Sequence, residues 1–199
     1  MNESASRRSA ALISLLLAAA LGACAPEPVP DPPLKGAPMR DSFALTDQNG
    51  RRVSDRDFAD KYRLVYFGYA YCPDVCPIDM RVIGAGLRRF EGEDAARAAR
   101  VQPIFITIDP ERDTPAALRQ YVAAFHPRMI GLTGTPEEIA LAARHHRVHY
   151  ERGAGTSGGY LMNHSRNAVL YGPDGAPIAI IPHDQGPAGV ATELGRWVR

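Results

Sequence analysis

The sequence predicts an α/β domain: a central mixed sheet flanked by helices, with a hairpin at its N-terminal end. Three observations predict it. Residues 63–69 and 101–108 are dense apolar runs, too apolar for half-exposed strands, and therefore read as central ones. The segment after the first run places Met80, Ile83, Leu87 and Phe90 at steps of three and four, which marks one helix face. Asn49-Gly50 and Pro173-Asp174-Gly175 are turn signals that close two hairpins. The chain has 199 residues, 23% charged, with a formal net charge of +1. Those values suit one globular domain and leave no electrostatic footprint for nucleic acid.

The elements follow in order. Residues 43–46 and 51–53 form the first hairpin around Asp47-Gln48-Asn49-Gly50. A central strand over 63–69 leads into a helix over 77–90, and a second central strand covers 101–108. Thr114 caps a helix that Pro115 opens, and Thr135-Pro136-Glu137-Glu138 repeats that pattern for a helix to about His146. A short strand over 129–132 separates these two helices. Residues 167–171 and 177–181 form the late hairpin. The last segment, 187–199, places Val190, Leu194 and Trp197 on one helix face. A strand, a dithiol turn, a helix and a terminal antiparallel hairpin together resemble the thioredoxin fold.

The N-terminus lies outside that fold. Arg7 and Arg8 precede an apolar run over 10–21 and the small residues Gly22-Ala23, the pattern of a secretory signal over 1–23. The run is short for a transmembrane helix, which needs about 20 residues. Leu21-Gly22-Ala23-Cys24 resembles a bacterial lipobox, which implies that Cys24 is lipidated and the mature protein is held on the periplasmic side of a membrane, the inner one being favoured. Plain cleavage near Ala23 and an uncleaved signal anchor are the alternatives. The alternating prolines of 24–38 read as a polyproline tether or an unstructured leader, and the domain as 39–199.

Cys72-Pro73-Asp74-Val75-Cys76-Pro77 sits where the first central strand turns into a helix. A structural disulfide is the plainest reading, but so short a loop removes little entropy from the unfolded chain. The pair serves chemistry better: dithiol exchange, or a grip on a soft metal. Pro77 disfavours helical backbone at Cys76, so the helix is expected to start at Pro77 with Cys76 near its cap, where free amides stabilise a thiolate.

Two sulfurs do not complete a metal site, and the histidines are searched for a third ligand. His126, before Pro127, reads as a surface residue. His145, His146 and His149 form an H-H-x-x-H run, either a separate metal clip or ordinary cations at a helix C-terminus. His183 has no evident partner. His164, in Tyr160-Leu161-Met162-Asn163-His164-Ser165, follows a glycine-rich loop at the start of a strand. In a thioredoxin-like fold that position faces the dithiol turn, where thiol oxidoreductases place a cis-proline. This chain has no proline between Pro136 and Pro173. Cys72, Cys76 and His164 are therefore the candidate metal ligands, suited to copper as Cu(I) and Cu(II). Gly153-Ala154-Gly155-Thr156-Ser157-Gly158 matches a dinucleotide fingerprint but lacks its strand–turn–helix setting. It reads as a loop that lets His164 close over a metal.

At this point the residues resemble the Sco/SenC family, over about 43–199. Four blocks in order carry the resemblance: the stretch from Gly68 to Pro77, Asp109-Pro110-Glu111-Arg112-Asp113-Thr114-Pro115, Ile130-Gly131-Leu132-Thr133-Gly134, and Asn163-His164-Ser165 followed by Leu170-Tyr171-Gly172-Pro173-Asp174-Gly175. The resemblance implies a thioredoxin fold, copper on Cys72, Cys76 and His164, and delivery to the dinuclear copper centre in a subunit of cytochrome c oxidase. Other periplasmic copper carriers or a thiol reductant are further partners it suggests. Two alternatives stand beside it. One is a thiol–disulfide reductase acting through Cys72 and Cys76 on the oxidase subunit; the other is a copper or redox sensor. A peroxiredoxin reading is weaker, because Val65 and Tyr69 stand where that chemistry wants proline and threonine. Asp109 and Asp113 read as caps and turn formers, with a supporting role near the metal as the alternative.

Overall fold

The computed structural model describes residues 30–156 and 159–199. The expected signal segment, Cys24 and most of the tether lie outside them. Residues 32–199 form one unit. Its strands are β1 (Ala44–Asp47), β2 (Arg52–Ser54), β3 (Tyr62–Gly68), β4 (Val101–Thr107), β5 (Ile130–Thr133), β6 (Tyr150–Thr156), β7 (Gly159–His164), β8 (Ala168–Tyr171) and β9 (Pro177–Ile181). Its helices are α1 (Val75–Glu93), α2 (Ala95–Ala98), α3 (Pro115–Ala123), α4 (Pro136–His145) and α5 (Gly186–Trp197).

Seven strands form one sheet in the order β2-β1-β5-β4-β3-β8-β9, and β6 pairs with β7 in a separate two-stranded ribbon. β3 runs parallel to β4, and β4 parallel to β5, while β8 and β9 join antiparallel. This is the expected mixed sheet with its N-terminal hairpin. Every residue of β3 is buried, because the strand lies between parallel β4 and antiparallel β8 and a core covers each of its faces. Its side chains alternate between two cores. Tyr62, Leu64 and Tyr66 join Ile83, Leu87, Phe90, Val190 and Leu194 on one face. Val65 and Phe67 join Leu45, Ile104, Ile106 and Ile139 on the other.

Local signals place the helices. Thr114 accepts a hydrogen bond from the Ala117 amide ahead of α3, and Thr135 forms a capping box with Glu138 ahead of α4. α1 and α5 cross closely at Gly86, where a Cβ would come within 2.4 Å of Val190. α1 begins at Val75, two residues before the expected start. Pro77 therefore falls in the first turn, where its missing N–H costs no helical hydrogen bond.

Three expectations are corrected. Residues 153–156, expected in a loop, belong to strand β6, and a register shift between Arg152 and Gly155 absorbs the small residues. His164 consequently ends β7 instead of starting a strand, and residues 165–167 link it to β8. His126 is 1% exposed rather than superficial. Its Nε2 lies 3.3 Å from Glu91, and its Nδ1 accepts from the Arg128 amide.

The H-H-x-x-H run is dispersed. His145 meets Ser42 O through Nδ1 and Arg40 through Nε2, each at 3.0 Å. The His149 amide donates to Ser165 Oγ. His146 is buried against Phe67 and Tyr171, with Nδ1 2.9 Å from Tyr171 Oη. Burial pushes its pKa down to about 3, so it is neutral. Its Nε2 faces Asp41 Oδ1 at 3.4 Å, and neither atom has a well-aligned hydrogen bond. Asp41 pairs through Oδ2 with Arg63 Nε, and the same guanidinium donates to Phe58 O and Lys61 O. A buried arginine thus ties the segment before β1 to the start of β3.

Removing one member of a buried pair leaves an uncompensated charge, at a cost of about 3–5 kcal/mol. Asp41→Ala is expected to lose stability on that scale in urea unfolding, and a second change, Arg63→Met, to recover part of it. Additive losses in the double variant would refute the pairing.

Candidate metal centre

The C-terminal ends of β3 and β4 lie side by side, since Gly68 pairs with Thr107. The turn after β3 therefore opens at one edge of the sheet, beside the turn after β4. Tyr69 O accepts from the Cys72 amide and closes the first turn. Cys76 is the second residue of α1 and fully buried, and Cys72 is 7% exposed. Both are free thiols. Gly68 makes room for this packing, because a Cβ there would stand 3.3 Å from Cys76 Sγ and 3.0 Å from the rings of Tyr66 and Phe105.

The two sulfurs differ. Cys72 is held well below the usual thiol range, first by a hydrogen bond from Cys76, with further donation from the Cys76 and Asp74 amides and from Tyr69 against the cost of burial. The Cys76 amide lies 3.4 Å from Cys72 Sγ. Donation to Cys72 and burial push the Cys76 thiol up. The pair is thus polarised in direction, with the thiolate favoured on Cys72 at the helix N-terminus over the buried Cys76.

His164 Nε2 approaches Cys76 Sγ at 3.3 Å, while Nδ1 lies 2.9 Å from Ser165 O. That carbonyl accepts from Nδ1–H, which leaves Nε2 as the nitrogen that faces the sulfur. The fold therefore brings together Cys72, Cys76 and His164, which lie far apart in sequence. They form a chain through Cys76 rather than a closed cage. Among the described residues, no three His, Cys, Asp or Glu side chains enclose a metal position as they stand.

The sequence reading missed the group that fixes this arrangement. Asp79, one turn after Cys76 and 4% exposed, accepts two hydrogen bonds from Arg166, at 3.0 and 2.7 Å. Tyr66 Oη donates to the same carboxylate at 2.7 Å, and His183 Nε2 lies 3.5 Å away. The Tyr66 ring meets the rings of His164 and His183 edge-on. Arg166 follows His164 by two residues, so this clamp ties the His164 segment to the cysteine helix. His183, for which no partner was foreseen, belongs to it. The available signal was the spacing of Asp79 from Cys76, which puts both on one helix face.

The turn after β4 supplies the other wall. Asp113 Oδ2 accepts from the Ala70 amide at 2.8 Å and Thr107 Oγ1 at 2.7 Å, while Oδ1 is buried without a partner. Asp109 binds Arg112 and Tyr160, and Arg112 stacks on Tyr160 with its carbon 3.7 Å from the ring centroid. These contacts fasten the β6–β7 ribbon against the sheet edge.

Two outcomes follow. Burial pushes Asp113 up to about 6, opposed by its hydrogen bonds from Thr107 and Ala70. The folded state then binds the extra proton, so this contribution is present below the unfolded value of about 4 and is lost as pH rises through about 6. Asp113→Asn keeps one acceptor and removes the charge. Chemical denaturation from pH 4 to 8 should show a flatter profile and up to about 2 kcal/mol more stability at neutral pH; an unaltered slope refutes the assignment. Arg166→Leu should release the segment after His164, and the Ser165 amide, bonded to His149 O, should exchange on the order of tenfold faster. Unchanged exchange would show that the clamp does not hold the segment.

Comparison with known proteins agrees with this architecture. Residues 32–199 match the SCO1/SenC family model. Protein SCO2 homolog, mitochondrial, of Bos taurus is 43% identical over 134 residues, covering 67% of this chain and 50% of that protein. Protein SenC of Rhodobacter capsulatus is 39% identical over 153 residues, 77% of this chain and 67% of that protein. The structure of Bradyrhizobium japonicum ScoI with copper bound superposes with a TM-score of 0.72 at 38% identity, covering 80% of this chain and 99% of that one. The chain spans about half the length of the SCO2 relatives it matches. Its fold is thioredoxin-like, as in the Sco structures, and the chain belongs to the SCO1/SenC family.

Proposed function

We propose that this chain is a copper-transfer protein whose cargo is held by Cys72, Cys76 and His164. The 3.3 Å approach of His164 Nε2 to Cys76 Sγ beside the polarised Cys72 carries the reading. The donor set fits the metal: thiolates are soft and select Cu(I), and imidazole also suits Cu(II). Copper displaces the Cys76 proton, and Cys72 and the imidazole need only close around the sulfur they already flank. Loading requires the reduced dithiol, so oxidation of the pair blocks it. A cysteine of the acceptor then replaces one protein ligand at a time, and the ion is never free. The bound copper of the Bradyrhizobium relative supports the cargo, and family membership supports the copper-site subunit of cytochrome c oxidase as the acceptor.

The signal pattern over 1–23 supports export, with Cys24 lipidated, residues 24–38 as tether and 39–199 as the working domain on the periplasmic side of a membrane. Among the described residues, no helix is long and apolar enough to cross a membrane.

The polarised pair also supports a second reading, a reductase dedicated to the acceptor. The Cys72 thiolate attacks the acceptor's disulfide to form a mixed disulfide, and Cys76 resolves it. The acceptor gains two electrons and leaves as a dithiol. The Cys72–Cys76 disulfide is left behind and needs an external thiol reductant. That route makes no use of His164. His164→Ala should therefore weaken Cu(II) binding at least tenfold, about 1.4 kcal/mol, and abolish the native Cu(II)–thiolate absorption, with a smaller effect on Cu(I). Unchanged titrations refute the ligand role. Full oxidase assembly by His164→Ala, lost in Cys72→Ser and Cys76→Ser, favours the reductase.

A further inference from the structure

The end of the sheet opposite the dithiol turn carries a basic groove. Strands β3, β4 and β5 are parallel, so α4 returns from their C-terminal edge to their N-terminal edge. Register confirms the polarity: Gly68, at the end of β3, lies under Cys76, whereas Arg63, near its start, pairs with Tyr171, which bonds His146 at the end of α4. Around this lower edge, Pro38, Met39, Arg40, Arg144, His145 and Arg147 line a groove of about 380 Å³.

Its arginines are unneutralised, and Arg40 and Arg147 are held in place. Arg40 Nη2 lies 3.0 Å from His145 Nε2, and His145 Nδ1 lies 3.0 Å from Ser42 O. The imidazole donates to that carbonyl and accepts from Arg40. Arg147, at a positive φ of 55°, donates from Nε to Pro38 O at 2.6 Å. Arg144 completes the group from the last turn of α4. A helix dipole accounts for Arg144 and His145 but not for Arg40 or Arg147, which lie outside the helix. Neither Arg40, Arg144 nor Arg147 has a carboxylate within ion-pair reach among the described residues, whereas ten of the nineteen described arginines do. The chain's formal charge is only +1, so the positive field here is local.

We propose that this groove binds the phosphate headgroups of anionic phospholipids and seats the domain on the membrane. Guanidinium groups match phosphate oxygens in pairs. Pro38 and Met39 belong to the segment over residues 32–41 that runs along this lower edge, held by Leu34 N to Ile178 O and by Arg40 N to His145 O. A basic patch adds an electrostatic signal to a lipid anchor. With the lower edge seated, the dithiol turn faces away from the lipid, about 20 Å further out along β3. The proposal does not depend on copper.

Phenylglyoxal footprinting of the full chain tests it, with phosphatidylcholine vesicles, with vesicles one-third phosphatidylglycerol, and with inorganic phosphate. Arg40, Arg144 and Arg147 should be protected several-fold in the anionic vesicles only, and exposed again in high salt, while Arg56 and Arg119 react equally throughout. Near an anionic surface each arginine contributes about one kcal/mol. The triple variant R40Q/R144Q/R147Q should therefore lose about a hundredfold in partitioning to anionic over neutral vesicles. Equal protection in neutral vesicles, or none in either, overturns the proposal. Equal protection by inorganic phosphate overturns the lipid as ligand and leaves a small-anion site.

Discussion

The parallel pairing of β3 with β4 is the constraint on which the rest depends. It places the ends of both strands at one edge, and everything reactive stands there. The dithiol turn follows one strand, and the Asp109–Asp113 turn follows the other. It also buries both faces of β3, which gives the fold two cores instead of one. Because Gly68 ends that strand without a side chain, the first turn of α1 settles onto it and the Cys76 sulfur is sealed from water.

The candidate centre is assembled from four directions. The sheet supplies Tyr66, α1 and the turn leading into it supply Asp79 and the two cysteines, the ribbon supplies His164, and the turn before α5 supplies His183. Asp79 is the common point of attachment, accepting from Tyr66 and Arg166. A carboxylate so nearly buried is stable only with such partners. The same bonds that satisfy it hold the imidazole's segment over the thiol.

Much of this was legible in sequence because the signals were local. Asn49-Gly50 fixed the first hairpin, Thr114 and Thr135 fixed two helix starts, and apolar density marked both central strands. The cysteine pair announced itself by spacing, and His164 by the proline missing around it. What escaped notice was long-range. The central-strand reading includes Arg63 but not the partner that lets it stay buried, and His146 reads as a helix-end cation yet lies in the core; Asp41 and Tyr171, which satisfy them, are more than twenty residues away in sequence. His126 is buried through a distant partner as well, since Glu91, 35 residues earlier, covers its Nε2. The ribbon was hidden by its glycines, whose strand pairing no local propensity announces.

The Asp41–Arg63 pair has a mechanical meaning as well. The segment ahead of β1 is fastened three times in succession: Leu34 N to Ile178 O at the start of β9, Arg40 N to His145 O, and Asp41 to Arg63 at the start of β3. A pull on that segment is therefore borne at the end of β3 opposite Gly68 and the thiols, and passes into the ladder that joins β3 to β4 before it can reach them.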